Sequence, residues 1–233
     1  MSHAAPISRI AGPAALAAGV LMVVAEVVMW PFDPQAHVAT TTDPVFQIAG
    51  AVYFVGFCLL LITAVASYSW QARTAGRFGV VGLVAALVGT LALGGDLWFE
   101  SFAVPWIADR VPQAFETTPT IVLGLGAISS YFLFALGWAL YGLASLRARV
   151  FPAAICCAIV VGGVLGWRAL VPPWGAALGL AIGWLGIWMI RAGTSAVEDV
   201  GPAPTDVPIP APRSAADSQR AAEAAPLTDT ERS

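Results

Sequence analysis

The chain has 233 residues, 58% of them hydrophobic and only 11% charged, with a formal net charge of −3; its mean hydropathy is +0.79. A chain this apolar excludes an ordinary water-soluble globular domain. Residues 1–192 hold eight Arg and seven acids and residues 193–233 three Arg and seven acids, so there is no basic footprint to support nucleic-acid binding.

Six apolar runs fill the first 192 residues, at about 8–30, 44–68, 77–103, 119–145, 149–171 and 173–191. A bilayer core is crossed by about 20 apolar helical residues, and a helix satisfies its own backbone polar groups there. The expected fold is therefore all-α: a polytopic membrane protein, a six-transmembrane-helix bundle over 1–192 followed by a disordered tail over 193–233.

In chain order, Arg9 opens the first run, which is too long for the apolar core of a signal peptide, so a retained helix is expected. It carries Glu26, with Gly12, Ala15, Gly19 and Met22 on the same stripe. Residues 31–43 form a short loop. The second run contains Cys58 and ends before Arg73 and Arg77. The third carries Asp96, with Gly82, Ala85, Gly89 and Leu93 on its stripe, and Glu100 one turn further on. Residues 104–118 mix Trp106, Ile107, Val111 and Phe115 with charges, a pattern suited to an interfacial segment. The fourth run holds Ser129, Ser130 and Tyr131 and ends at Arg147 and Arg149. Hydroxyls there are expected to bond back to their own helix.

The fifth run carries adjacent Cys156 and Cys157, which lack the spacing of a redox or metal motif, and Arg168 near its far end. The sixth presents Gly175, Gly179 and Gly183 at four-residue spacing, a helix-packing signal for the fifth run or for a second copy of the chain. The tail beyond 193 is rich in Ala, Pro, Ser, Thr and acids and has no aromatic residue, so it cannot offset its ordering entropy.

The arginines set the topology. Arg9, Arg73, Arg77, Arg147, Arg149 and Arg191 alternate with segments bearing Asp33, Asp43, Asp109 and Glu116. By the positive-inside rule both termini face the cytoplasm. Trp30, Trp70, Trp98, Trp106, Trp167 and Trp174 fall near span ends, as an aromatic belt requires. In composition the chain resembles the small multi-span proteins of high-GC bacteria. That resemblance implies a bacterial cytoplasmic (inner) membrane location and no activity.

Ionisable groups inside a span are costly, by roughly 2.5–3.5 kcal/mol on insertion scales, which makes them functional candidates. Glu26, Asp96 and Arg168 lie 17, 19 and 19 residues from the basic start of their spans, near the outer boundary. The candidate site is thus an intramembrane polar cluster of Glu26, Asp96, Glu100 and Arg168. Two arrangements are open: an ion pair of Asp96 with Arg168 that ties helix ends together, or an outward-facing acidic vestibule.

No P-loop, dinucleotide fingerprint, HExxH or GxSxG occurs, and His3 and His37 lie outside the runs. No catalytic residue, metal or cofactor is expected. The favoured functional reading is a non-enzymatic accessory, regulatory or structural membrane subunit whose partners are the bilayer and a membrane protein or second copy meeting Gly175, Gly179 and Gly183. The alternatives are a small transporter or channel using Glu26, Asp96 and Glu100 and, behind it, an intramembrane lipid-modifying enzyme.

Overall fold

The computed structural model describes residues 6–33, 36–115 and 120–198. From residue 199 on, the tail lies outside the described residues. The described residues form helices and no strand: α1 (Pro6–Met29), α2 (His37–Thr42), α3 (Pro44–Trp98), α4 (Val104–Arg110), α5 (Ile121–Ala148), α6 (Ala153–Leu165) and α7 (Trp174–Glu198). Four helical stretches are long and apolar enough to cross a membrane: Arg9–Met29, Pro44–Arg110, Ile121–Ala148 and Trp174–Gly193.

The count differs from six for two physical reasons. The second and third apolar runs belong to one helical stretch, interrupted only at Gly76, which has φ 56° and ψ −157°. That backbone region is open essentially to glycine alone. The fifth run yields a 13-residue α6 and a three-residue 3₁₀ turn, Gly166–Arg168. At 1.5 Å per residue this is roughly 24 Å of helix, short of a 30 Å hydrocarbon core.

The chain reverses at Gly76. A straight 55-residue helix would be about 80 Å long and would hold its ends far apart. Instead, Tyr68 lies against Gly79, Phe57 against Gly94 and Ser101 against Gly50, and the Phe54 and Phe102 rings are 6.0 Å apart. These pairs step outward symmetrically from residue 76, so residues 44–75 and 77–98 are antiparallel arms.

Small residues set the seams. Gly82 and Gly89 of the second arm meet Leu140–Tyr141 and Leu133–Phe134 of α5, while Gly137 of α5 meets Ala85 and Ala86. A β-carbon at Gly89 or Gly137 would run into the facing backbone, the close approach that drives association where lipid is as apolar as the helix. On α1, Gly12 faces Gly186 and Ile190 of α7, and Gly19 faces Gly179 and Gly183. The α7 glycines are therefore engaged by α1, the first helix, while α6 reaches α7 through Gly162 against Leu178.

Between these seams lies an aromatic core. Phe57 stacks on Phe134 at 5.2 Å, and Tyr53 and Tyr141 meet Phe57 and Trp138 edge-on. Polar pins cross it: Trp138 Nε1 donates to Thr90 Oγ1 at 2.9 Å, Ser67 and Tyr141 share a 2.7 Å bond, and Gln71 Nε2 donates to Ser145 Oγ at 3.0 Å. The outer surface is aliphatic, with Ile121 82% and Val122 80% exposed, as a lipid-facing surface requires.

Candidate functional site

The end of the bundle opposite Gly76 gathers the acids, and it treats them differently. Glu26, on the last turns of α1, is 1% exposed. Its Oε1 accepts from the Tyr53 hydroxyl at 2.8 Å, and the same hydroxyl lies 2.8 Å from the Ala169 carbonyl. The backbone N–H of Gly175 also bonds to the carboxylate. Gly175 is the second residue of α7, so the carboxylate sits at the positive end of a 25-residue helix. A β-carbon at Gly175 would collide with Tyr53, Glu26 and Ala169. This glycine is therefore the floor of the Glu26 seat. Glu26 Oε2 is buried without a hydrogen-bond partner.

Asp96 and Glu100 occupy a different setting. Both line a cavity of about 360 Å³. Asp96 Oδ2 is 3.5 Å from Ser130 Oγ, but Ser130 gives a shorter bond, 2.7 Å, to the Ala127 carbonyl. One hydroxyl proton cannot serve both, and the shorter contact takes it. Ser129 likewise bonds back to Gly126. The Asp96 carboxylate thus has little compensation inside the protein.

Glu100 lies in a π-helical turn, Phe99–Ala103, closed by Val104 N–H on the Phe99 carbonyl. Pro105 follows; it has no N–H to offer the Ser101 carbonyl, and its ring clashes with that turn, so the helix widens just before it. The widening turns both Glu100 and Ser101 toward the cavity. Ser101 is 7% exposed. Tyr131 lies within electrostatic reach of Asp96, Glu100 and Glu26 and forms part of the same wall.

The Asp96–Arg168 ion pair expected as one arrangement is not formed. Arg168 is exposed, and its guanidinium lies 5.1 Å over the Trp167 ring. The reason is local: the 3₁₀ turn Gly166–Arg168 narrows the helix and swings Arg168 away from the bundle. Arg110 is also engaged locally, 3.4 Å from its neighbour Asp109. The polar cluster therefore divides. Glu26 is seated, Asp96 and Glu100 line a cavity, and Arg168 faces outward.

The rest of the cavity comes from segments that sequence reasoning treated as loops or belt. Trp30, Phe32 and Phe46 form an aromatic side, with Phe32 and Phe46 edge-to-face at 5.4 Å. Thr40 and Thr41 of α2 add hydroxyls; Thr40 is held by the Asp33 carbonyl at 2.8 Å. Leu170 to Pro172 close it from the α6–α7 connection. Among the described residues no three His, Cys, Asp or Glu side chains group as a metal site. The three cysteines are free thiols, Cys156 buried and Cys58 and Cys157 exposed.

Fold and site together define a class: an all-helical protein with four apolar helical stretches of membrane-crossing length and an acid-lined cavity at one end. No protein-family model, no curated protein and no solved structure matches this chain.

Proposed function

We propose that this is a six-span integral membrane protein of the small transporter or channel type, which binds a polar solute in the Asp96–Glu100 cavity. Six crossings follow if each arm of α3 spans separately and if α6 with its 3₁₀ turn completes a thin fifth span. Both termini are then cytoplasmic, with Arg73, Arg77, Arg147 and Arg149 on the same side. The cavity opens at the outer end, in a bacterial inner membrane by the resemblance in composition.

One observation carries the reading: Asp96 faces a 360 Å³ cavity and not Arg168. A purely structural subunit would be better served by a filled core with the charges paired, since an uncompensated carboxylate costs free energy that binding a solute can recover. The reading as an accessory or packing subunit has a weaker support, because Gly179 and Gly183 are engaged within the chain.

The test uses a cysteine-free background and an impermeant thiol reagent applied to whole cells. Ser101→Cys, Ala127→Cys and Pro112→Cys should label from outside, and Thr74→Cys should label only after permeabilisation. Silence at Ser101 and Ala127 with labelling at Pro112 would mean a closed core, returning the protein to the packing role. Labelling at Thr74 alone would invert the topology.

A further inference from the structure

We propose that the cavity selects an organic cation bearing N–H groups, a protonated amine or amidinium on an apolar body. The inference rests on the solute-binding reading above and adds the chemical class of the solute.

Charge comes first. Asp96 and Glu100 line the cavity together, no basic side chain among the described residues does, and Arg168 lies over Trp167. An anion would add to an existing negative field in a low-dielectric setting; a cation relieves it.

The wall chemistry then separates organic from inorganic cations. A hard metal ion asks for six to eight oxygens, or keeps a shell of waters. This wall offers two carboxylates and a few hydroxyls, set among Met29, Leu97, Leu170 and Val171. Its aromatic side, Trp30, Phe32, Phe46 and Tyr131, supplies the π faces that attract ammonium and guanidinium groups. Apolar walls with a few convergent polar groups are what a small organic ligand fills, and the volume is at the lower end of the range for such sites.

Ser101 narrows the class further. It is 7% exposed and lines the cavity beside Glu100. Asp96 has little compensation within the protein, because Ser130 gives its proton to the Ala127 carbonyl. Both are acceptors that an N–H can satisfy and that a quaternary ammonium, having no N–H, cannot.

The experiment is a thermal-shift and calorimetric titration of the full chain in detergent at neutral pH. The probes are phenethylammonium, benzyltrimethylammonium, 2-phenylethanol, phenylacetate and calcium ion. Phenethylammonium should bind, and benzyltrimethylammonium more weakly by about tenfold, the worth of a charge-assisted hydrogen bond. The alcohol, the carboxylate and calcium should give no saturable signal. Asp96→Asn and Ser101→Ala should each weaken phenethylammonium by about tenfold or more, while exposed Asp109→Asn should not. Equal binding of amine and alcohol, with Asp96→Asn unchanged, overturns the cation class but leaves a solute-binding cavity. Binding of calcium alone replaces the organic cation by a metal. No amine binding at about 1 mM, at the weak end of useful affinities, overturns this proposal; if Ser101→Cys still labels from outside, the solute-binding reading survives it, and if it does not, both fall.

Discussion

Glu26 and the Asp96–Glu100 pair lie at the same end of one bundle, yet they are held in opposite ways. Glu26 is enclosed by Tyr53, the Ala169 carbonyl and the first turn of α7, and the fit depends on a glycine. Asp96 has a 3.5 Å contact to a hydroxyl already used elsewhere, and it faces open volume. Tyr53 serves Glu26 Oε1, although Oε2 stays buried without a partner, whereas the hydroxyl nearest Asp96 is spent on the Ala127 carbonyl. A buried charge inside a helical bundle is thus not one kind of feature: the two acids differ in the supply of donors within about 3 Å.

The largest effect should come from the floor of the seat. Gly175→Ala places a methyl against Tyr53, Glu26 and a backbone carbonyl, and overpacking of this kind costs roughly 1–3 kcal/mol, here near the top because backbone has to move. A melting temperature in detergent equal to the parent's would show that the seat is loose and the contrast with Asp96 unfounded.

Tyr53→Phe is the next step down. It keeps the ring against Phe57 but strips the hydroxyl from Glu26 Oε1 and Ala169. Leaving a buried acceptor unpaired costs about 1–3 kcal/mol, so chemical or thermal denaturation should show a loss of about 2 kcal/mol. The effect should be insensitive to any amine added. Rescue by phenethylammonium would join the Glu26 seat to the cavity and erase the distinction.

Asp96→Asn should lower stability by no more than about 0.5 kcal/mol, and a small gain is the expected sign, because the substitution removes a charge with little compensation. The smallest effect is the coupling itself. In a double-mutant cycle, Asp96→Asn combined with Arg168→Gln should be additive within about 0.3–0.5 kcal/mol, as for residues without a shared partner. A coupling well above that would restore the ion pair and with it the purely structural reading.

Much of this was legible in the residues. The stripe Gly82, Ala85, Gly89 and Leu93 could be read as a close-packing face from spacing alone, and it is the α3–α5 seam. Glu26, Asp96 and Glu100 stood out because charge is rare in apolar runs. Their partners did not stand out. Tyr53 is one aromatic among many in an apolar run, and nothing in its neighbours says that its hydroxyl faces Glu26 across 27 residues. Ser101 sat in what read as a span end, and its role depends on the π turn ahead of Pro105.

Composition and periodicity determined that the chain is helical and apolar, where the charges fall along it and which faces carry small residues, because these depend only on local propensity and on the 3.6-residue repeat. Only the tertiary structure decided which small faces meet, as Gly179 and Gly183 meeting Gly19 of α1 illustrates. It alone decided that Gly76 reverses the chain and that Arg168 turns away from Asp96. Those outcomes depend on angles at single residues, a glycine at φ 56° and one 3₁₀ turn. An angle of that kind changes the course of everything after it while leaving almost no mark on the pattern of apolar and polar residues.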